Sequence, residues 1–347
     1  MDTTGLTRSL GLGPGQVEAV LRAAVSAPSA YNTQPWRFRV LDDRIEVHAD
    51  LGRRLPATDP QDRELRVACG AALFNIRLAL TGLHIRPLVT LVPERKRPEL
   101  LAVVRHGGRV RLDEATAALL SAIPKRRTNR RPFLDRQVPR SQVPMLVKAA
   151  EHEQCWLHPV EEPAERASLL GLVHRAHRRQ QQDPGFHAEF AAWTGHDDGR
   201  PDGVPHSSGG PLPEPQDSWV LRDFTGGRGR ERLPGKDFED QPLIAVLCSF
   251  YDGPRADLTA GQALQRVLLT ATTLGLSCSF ISPPVEVPAV REDLRRLLGG
   301  GLYPQSVLRL GYGAPVPRVP RRDLDDLVIP VQPRGGHAEE ERDGTCP

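Results

Sequence analysis

Ala27-Pro28-Ser29-Ala30-Tyr31-Asn32-Thr33-Gln34-Pro35-Trp36 joins the end of a helix to a polar turn and then to a strand that begins Arg37-Phe38-Arg39-Val40. Pro28 and Pro35 fix φ and bias the residues before them toward extended geometry, while Ser29 and Asn32 reach local or outside partners without long stems. Pro28, Ser29, Ala30 and Asn32 are thus candidate ligand contacts. An ordinary helix-to-strand loop uses the same residues, so the turn alone does not decide a function.

A second stretch, Lys125-Arg126-Arg127-Thr128-Asn129-Arg130-Arg131-Pro132-Phe133, follows downstream. The first segment closely resembles the A-P-S-x-x-N-x-Q-P-W signature of the FMN-dependent nitroreductase family, which contacts the flavin. The second resembles the R-R-S-x-R element with which that family holds the FMN phosphate. A phosphate presents two charges and several acceptor oxygens, which guanidinium forks match bidentately and a hydroxyl completes. By position the resemblance assigns Arg126 and Thr128 to the phosphate, with Arg127 beside them. It sets Arg130 at the N1 and O2 edge of the flavin ring, where a fixed cation stabilises the reduced anion. A solvated basic run is the ordinary meaning of clustered arginines; the Thr and Asn inside this one, followed by Pro-Phe, argue for a site.

In ordinary members of the family the phosphate element precedes the turn, and the flavin lies between two identical subunits. Here the order is reversed. The first unit has Gly11-Leu12-Gly13-Pro14-Gly15 where its phosphate element would stand, and the second has Ala150-Glu151-His152-Glu153-Gln154-Cys155-Trp156 where its turn would stand. The expectation is an α+β, nitroreductase-like fold of two tandem units forming an intramolecular pseudo-dimer, with one FMN per chain. An internal repeat agrees: Gly70-Ala71-Ala72-Leu73 and Gly261-Gln262-Ala263-Leu264 open matching apolar helical segments that end at Gly82-Leu83 and Gly275-Leu276. Leu264, Val267, Leu268 and Ala271 share a helix face, and Gly275 is placed to cap it in a left-handed conformation.

Pro304-Gln305-Ser306-Val307-Leu308-Arg309-Leu310-Gly311-Tyr312 is similar to the closing strand of the family, after which an arginine reaches the phosphate. Arg318 and Arg321 are equal candidates for that role, and Arg309 reads as structural. The chain as a whole resembles the Acg-type branch, in which two fused units carry one FMN beneath a loop. Residues 1–16 then form an N-terminal segment, 17–118 the first unit, 119–332 the second with a lid-like insertion at 194–236, and 333–347 a disordered tail. The insertion is rich in Gly, Pro and Asp and too long for a simple connection; a role-free insertion is an equal reading. One departure bears on chemistry. The loop expected to offer a backbone N–H to the flavin N5 reads Ser282-Pro283-Pro284-Val285-Glu286, and proline has no N–H, leaving Ser282, Val285 or a later amide.

Composition fits this reading. The 347 residues are 39% hydrophobic, enough for a core. No apolar run approaches the ~20 residues of a membrane span, and Met1-Asp2-Thr3-Thr4 is no signal peptide, so a cytoplasmic protein without membrane contact is expected. Five scattered cysteines without a CxxC pair indicate neither a disulfide framework nor a zinc site, and Cys69 and Cys278 read as small buried hydrophobes. A net charge of +3 with interspersed acids does not suggest nucleic acid. His174 and His177 lie on an Arg- and Gln-rich helix that reads as a solvated face. Two functions follow from the resemblance: an oxidoreductase passing hydride from NAD(P)H to a small planar acceptor such as a quinone or nitroaromatic, and a non-catalytic protein that sequesters FMN. Either would work as a monomer, and no catalytic side chain is named.

Overall fold

Alternation of buried and half-buried residues along Trp36-Arg37-Phe38-Arg39-Val40-Leu41 marks a strand with one covered face. The computed structural model, which describes residues 6–197, 199–214, 216–229, 238–239 and 241–330, pairs Trp36–Leu41 with Arg44–Ala49 in an antiparallel hairpin. Helix Pro14–Ala24 precedes the hairpin and helix Arg63–Gly82 follows it, leading to strands Ile85–Leu91 and Leu100–Arg109. The resulting antiparallel sheet runs in the order Trp36–Leu41, Arg44–Ala49, Leu100–Arg109, Ile85–Leu91.

The second half repeats this plan. Helix Val143–Glu151 leads into strand Cys155–Pro159; strand Leu243–Ser249, helix Pro254–Thr273 and strands Ser277–Phe280 and Tyr303–Gly311 follow. The second sheet is ordered Cys155–Pro159, Leu243–Ser249, Tyr303–Gly311, Ser277–Phe280, again antiparallel throughout. Numbered along the chain within each half, both sheets run first, second, fourth, third. The halves differ between their first two strands. A tight hairpin stands there in one; in the other, helices Pro163–Gln181 and Pro184–Trp193 and the Gly- and Pro-rich segment intervene.

The two long helices Arg63–Gly82 and Pro254–Thr273 pack on each other at the glycines of the repeated phrase. A Cβ on Gly70 would collide with the Leu258 carbonyl oxygen and lie 3.0 Å from the Gly261 Cα. A Cβ on Gly261 would collide with the Val67 carbonyl oxygen and lie 2.8 Å from the Gly70 Cα. Each glycine thus meets the carbonyl three residues ahead of the other, a reciprocal contact of the kind a two-fold axis generates. Gly275 has φ +74 and closes its helix, its amide and that of Leu276 bonding Thr272 O and Ala271 O at 3.1 and 2.8 Å. Gly82 differs: it is helical and makes room for Leu120.

Several expectations change. Helix Arg63–Gly82 is long and apolar enough to cross a membrane, with a window of mean hydropathy 1.2, yet 72% of that window is buried in the fold. The expected unit boundaries at 17 and 119 fall inside helices Pro14–Ala24 and Glu114–Ala122. Leu6, Leu10 and Leu12 pack in the first core, so the N-terminal segment is not separate. Leu324 and Leu327 of the C-terminal segment also enter that core, and the Ile329 amide bonds Phe38 O at 2.7 Å, so the second half reaches back across the first. The helix of His174 and His177 is not merely solvated, since it buries Leu169, Val173, Ala176 and Gln180. Cys69, Cys155, Cys248 and Cys278 are buried; the tail 333–347 and Cys346 lie outside the described residues.

Candidate functional site

The turn after the first helix is held in an unusual conformation. Tyr31, Asn32 and Gln34 have φ of 47°, 58° and 51°, each costing about 1–3 kcal/mol for a residue with a Cβ. Hydrogen bonds offset that strain. Ser29 Oγ accepts from the Gln34 amide at 2.9 Å, and the Gln34 side chain donates to Pro201 O at 2.8 Å and accepts from the Arg322 amide at 2.9 Å. Asn32 Nδ2 donates to Gly203 O and Pro320 O at 3.0 and 3.2 Å, while Arg321 Nη1 donates to Asn32 Oδ1 at 3.0 Å. Asn32 therefore ties the turn to two other segments, and its amide hydrogens are not free for a ligand. Pro28 and Ser29 line the cleft beside them, and Ala30 a second, larger one.

The second half supplies the opposite wall. Thr128 pairs with Cys278, and the Asn129 amide bonds Cys278 O at 2.8 Å, so the basic segment docks along the edge strand of the second sheet. Asn129 Nδ2 donates to Ala314 O at 3.0 Å. This places Arg126, Arg127, Thr128 and Arg130 across from Pro28 and Ser29. They enclose a cleft of about 600 Å³ whose lining also includes Arg318 and Arg321 and contains no carboxylate. Arg126 is 5% exposed, and its Nε and Nη1 have no hydrogen-bond partner. Burial pushes its pKa down to about 10. Burial, with the nearby Arg126, Arg318 and Arg127, pushes Arg321 down to about 9. Unpaired buried cations are costly, and these five arginines, which form no ion pair among the described residues, make a site that an anion completes.

The structure separates the two C-terminal arginines. Arg321 is partly buried and spends its guanidinium on Val25 O at 2.8 Å, Ala27 O, Pro320 O and Asn32 Oδ1. Arg318 is exposed at the mouth of the same cleft. Arg321 is a strut with its charge toward the cleft, whereas Arg318 is free to contact a ligand. Arg309 is fully buried, donating to Glu239 Oε1 at 2.8 Å and Arg131 O at 2.9 Å and lying 4.0 Å over the Phe133 ring.

A larger cleft of about 1140 Å³ adjoins the first, sharing Pro28, Ser29, Thr128 and Arg130. Its walls are largely apolar, with Val67, Ala68, Leu264, Phe280 and Ile281 from the core. Ser282 lines it too. Val285 and Glu286 donate their amides to Ser282 O at 3.0 and 3.1 Å, and Pro283 and Pro284 have none. Ser282 is thus the remaining backbone donor of that loop. Arg130 lies where the clefts meet, 4.4 Å over the Phe224 ring and 3.3 Å from Ser208 O, with its pKa pushed down to about 10 by burial.

Two sets of lining residues were not named from the sequence, although the first belongs to the expected lid-like insertion 194–236. Trp219, Val220, Leu221, Arg222 and Phe224, from the segment between strands, form the outer wall of the larger cleft. Arg222 fastens it: Nη1 donates to Glu286 Oε1 at 3.0 Å and Tyr31 OH at 3.3 Å, and Nη2 to Gln180 Oε1 at 2.7 Å and to Glu286 Oε2. Burial opposes its charge, but Glu286, with Tyr31 and Glu64, outweighs it and holds the guanidinium above its ordinary pKa. Glu64, in the first turn of the first core helix, also lines the cleft; burial, then Glu286, raises its carboxyl to about 8 against the pull of Arg63. Arg222 sits in a stretch without periodicity, and Glu64 lies between Arg63 and Arg66 in a charged first turn like that of many helices, so no local pattern marks either.

A family model described as the nitroreductase family matches residues 12–57, the helix, turn and hairpin of the first half. The Mycobacterium tuberculosis protein "Putative NAD(P)H nitroreductase Rv3131" is 34% identical over 320 residues, 90% of each chain. "Putative NAD(P)H nitroreductase acg" from the same species is 30% identical over 319 residues, 90% of this chain and 94% of its own. Among solved structures, a nitroreductase with bound FMN from Bacteroides fragilis overlaps 58% of this chain and 90% of its own at TM-score 0.35 and 15% identity. With the matched turn forming one lip of the cleft, and with relatives aligned over nine-tenths of its length, the chain belongs to the nitroreductase family.

Proposed function

We propose that this chain is an FMN-dependent oxidoreductase that takes hydride from NAD(P)H and delivers reducing equivalents to a small planar acceptor, a quinone or a nitroaromatic. The observation that carries this reading is the buried Arg126, whose Nε and Nη1 have no partner among the described residues, in an arginine-rich cleft without carboxylates that opens into a mostly apolar one. A phosphate fits the first cleft and a flat ring the second. Arg126, Arg127, Arg318 and Thr128 hold the phosphate, with the Arg321 charge behind them; Pro28, Ser29 and Ala30 border the ring. Bound flavin supplies hydride acceptance and one- or two-electron release. Arg130 presents a cation at the junction of the clefts and favours negative charge there. The Ser282 amide is the donor facing the ring, and Phe224, Trp219 and Leu221 exclude water from the outer face.

The repeated sheet order and the reciprocal glycine contact support two fused units and one site per chain, which needs no second copy. On that reading the insertion acts as a lid through Trp219, Leu221 and Phe224, which line the ring cleft. A second reading, FMN sequestration without turnover, draws on the buried Arg222–Glu286 pair that fastens that lid.

Purified protein supplemented with FMN should retain one flavin per chain as a monomer. Anaerobic mixing with NADPH should bleach the flavin, and a quinone should restore its colour in repeated cycles. Retention of one FMN without bleaching favours sequestration; absence of bound FMN refutes both readings.

A further inference from the structure

Among the described residues two carboxyl groups line the ring cleft, and the fold treats them differently. Glu286 is held as a carboxylate: Arg222 meets both of its oxygens, at 3.0 Å on Oε1, and Gln180 adds a bond to Oε2 at 2.7 Å. Glu64, in the first turn of helix Arg63–Gly82, has less support. Its Oε1 accepts from Arg63 Nη2 at 3.2 Å, but that guanidinium is shared with Gln305 O at 2.6 Å, Gln305 Oε1 at 3.1 Å and Val285 O at 3.3 Å. Glu64 Oε2 has no hydrogen bond among the described residues, and the side chain is 14% exposed.

The titratable and charged groups around Glu64 come from four parts of the chain. Asp59 and Arg63 flank it on its own segment, Glu286 stands on the short helix Pro283–Glu286, Arg222 on the insertion and Tyr31 on the ligand turn. Burial, then Glu286 and Asp59, outweigh Arg63 and Arg222, so Glu64 keeps its proton up to about pH 8. Trp219, Leu221 and Phe224 cover the outer face of the cleft, so a proton needed there comes from an inner source. A separate groove of about 660 Å³, lined by Asp59, Arg63, Asp252, Glu286 and Arg291, lies behind the two carboxyls. Glu286 lines both spaces, and Arg63 of the groove is bonded to Glu64 of the cleft.

We propose that, on the flavin reading given above, Glu64 is the acid that protonates the acceptor as it is reduced. A quinone reduced by two electrons takes up one hydride and one proton. The hydride comes from the reduced flavin. The Glu64 O–H bond breaks as the new O–H bond forms on the quinone oxygen, and the carboxylate regains a proton from water in the groove. Ferricyanide takes up an electron and no proton, so its reduction has no use for Glu64.

Glu64→Gln keeps the shape and a hydrogen-bond donor while removing the transferable proton. FMN-loaded protein is photoreduced and mixed anaerobically with menadione or with ferricyanide, following the return of flavin colour. The variant should reoxidise about a hundredfold or more slowly with menadione and within about twofold of wild type with ferricyanide. The wild-type menadione rate should fall about tenfold per pH unit above about pH 8. Infrared difference spectra of flavin-free protein should show one protonated-carboxyl C=O band lost as pH rises through about 8, and the variant should lack that band. If FMN is retained but both acceptors slow equally, or neither slows, or the band is missing, the proposal is overturned and the flavin reading stands. If no FMN binds, that reading fails and the proposal with it.

Discussion

Arg222→Met removes the cation that fastens the outer wall while keeping most of its apolar stem. The Arg222 and Glu286 side chains are 6% and 1% exposed, so the variant leaves a carboxylate stranded in the interior. Breaking a buried pair in this way costs about 3–5 kcal/mol. Gln180 Nε2 still donates to Glu286 Oε2 at 2.7 Å, which argues for the lower end. At about 1.4 kcal/mol per decade, a 3 kcal/mol loss raises the open population of the segment roughly a hundredfold. The loss should be local, because Arg222 belongs to a segment outside both sheets. Amide hydrogen exchange resolves it: peptides covering residues 216–229 should exchange about a hundred times faster, while those from Pro254–Thr273 keep wild-type protection. Arg222→Met with Glu286→Gln should recover part of the protection, since no charge is then stranded. Exchange within about threefold of wild type, or acceleration spread evenly over the core helices, would show that this pair does not latch the wall.

Arg126→Leu should raise the melting temperature of the flavin-free protein, because it deletes an unpaired buried charge, yet weaken FMN by about 10- to 100-fold through lost charge-assisted bonds worth about 1.5–3 kcal/mol; unchanged affinity in a titration refutes the phosphate role. Glu64 has a folded-state pKa raised to about 8 by burial and Glu286, so the native state holds a proton that the unfolded chain releases near pH 4.5, and stability should fall as pH rises from about 4.5 to 8. Glu64→Gln should remove that fall, gaining more than about 1 kcal/mol over wild type at pH 8 relative to pH 5 in urea melts, and parallel curves would exclude the linkage. Gly70→Ala and Gly261→Ala should each cost about 1–3 kcal/mol or more from overpacking against backbone, and the double variant less than their sum, because separating the helices for one methyl makes room for the other; strict additivity in denaturant melts would place the two glycines in independent contacts.

The elements that position the site follow from local grammar. Pro28 and Pro35 bracket the turn, the alternation in Trp36–Leu41 sets the hairpin, and the repeated Gly-x-Ala-Leu phrase marks the two helices that meet. That Arg126, Arg127, Thr128 and Arg130 line one cleft was readable because they stand close together in the chain, while Arg318 and Arg321 join them from the C-terminal segment. What was hidden depends on distant pairing. Asn32 carries the family's residue yet uses it on Gly203 and Pro320, some 171 and 288 positions away. Arg222 finds Glu286 at a separation of 64, and Arg321 becomes a strut only because the C-terminal segment folds back on Val25 and Ala27. Helix Pro184–Trp193 escaped notice for a related reason, since it buries Phe186 alone among its own residues and has almost no amphipathic stripe.

Glu153 stands where a second ligand turn would be expected, and it accepts Arg77 at 2.5 Å and Arg266 at 3.1 Å, one arginine from each core helix, with Gln262 sharing Arg77 at 2.8 Å. A subunit that assembles with a copy of itself writes every substitution twice, so neither of two equivalent sites can be surrendered without the other. Fusion breaks that bookkeeping. On the two-unit reading, the vacant position was free to be rewritten as an ionic staple between the helices, while Arg126 and Ser29 kept the ligand role proposed for them. On the same reading, that freedom has a cost in robustness: with one arginine cleft per chain, a lesion there has no second copy to offset it.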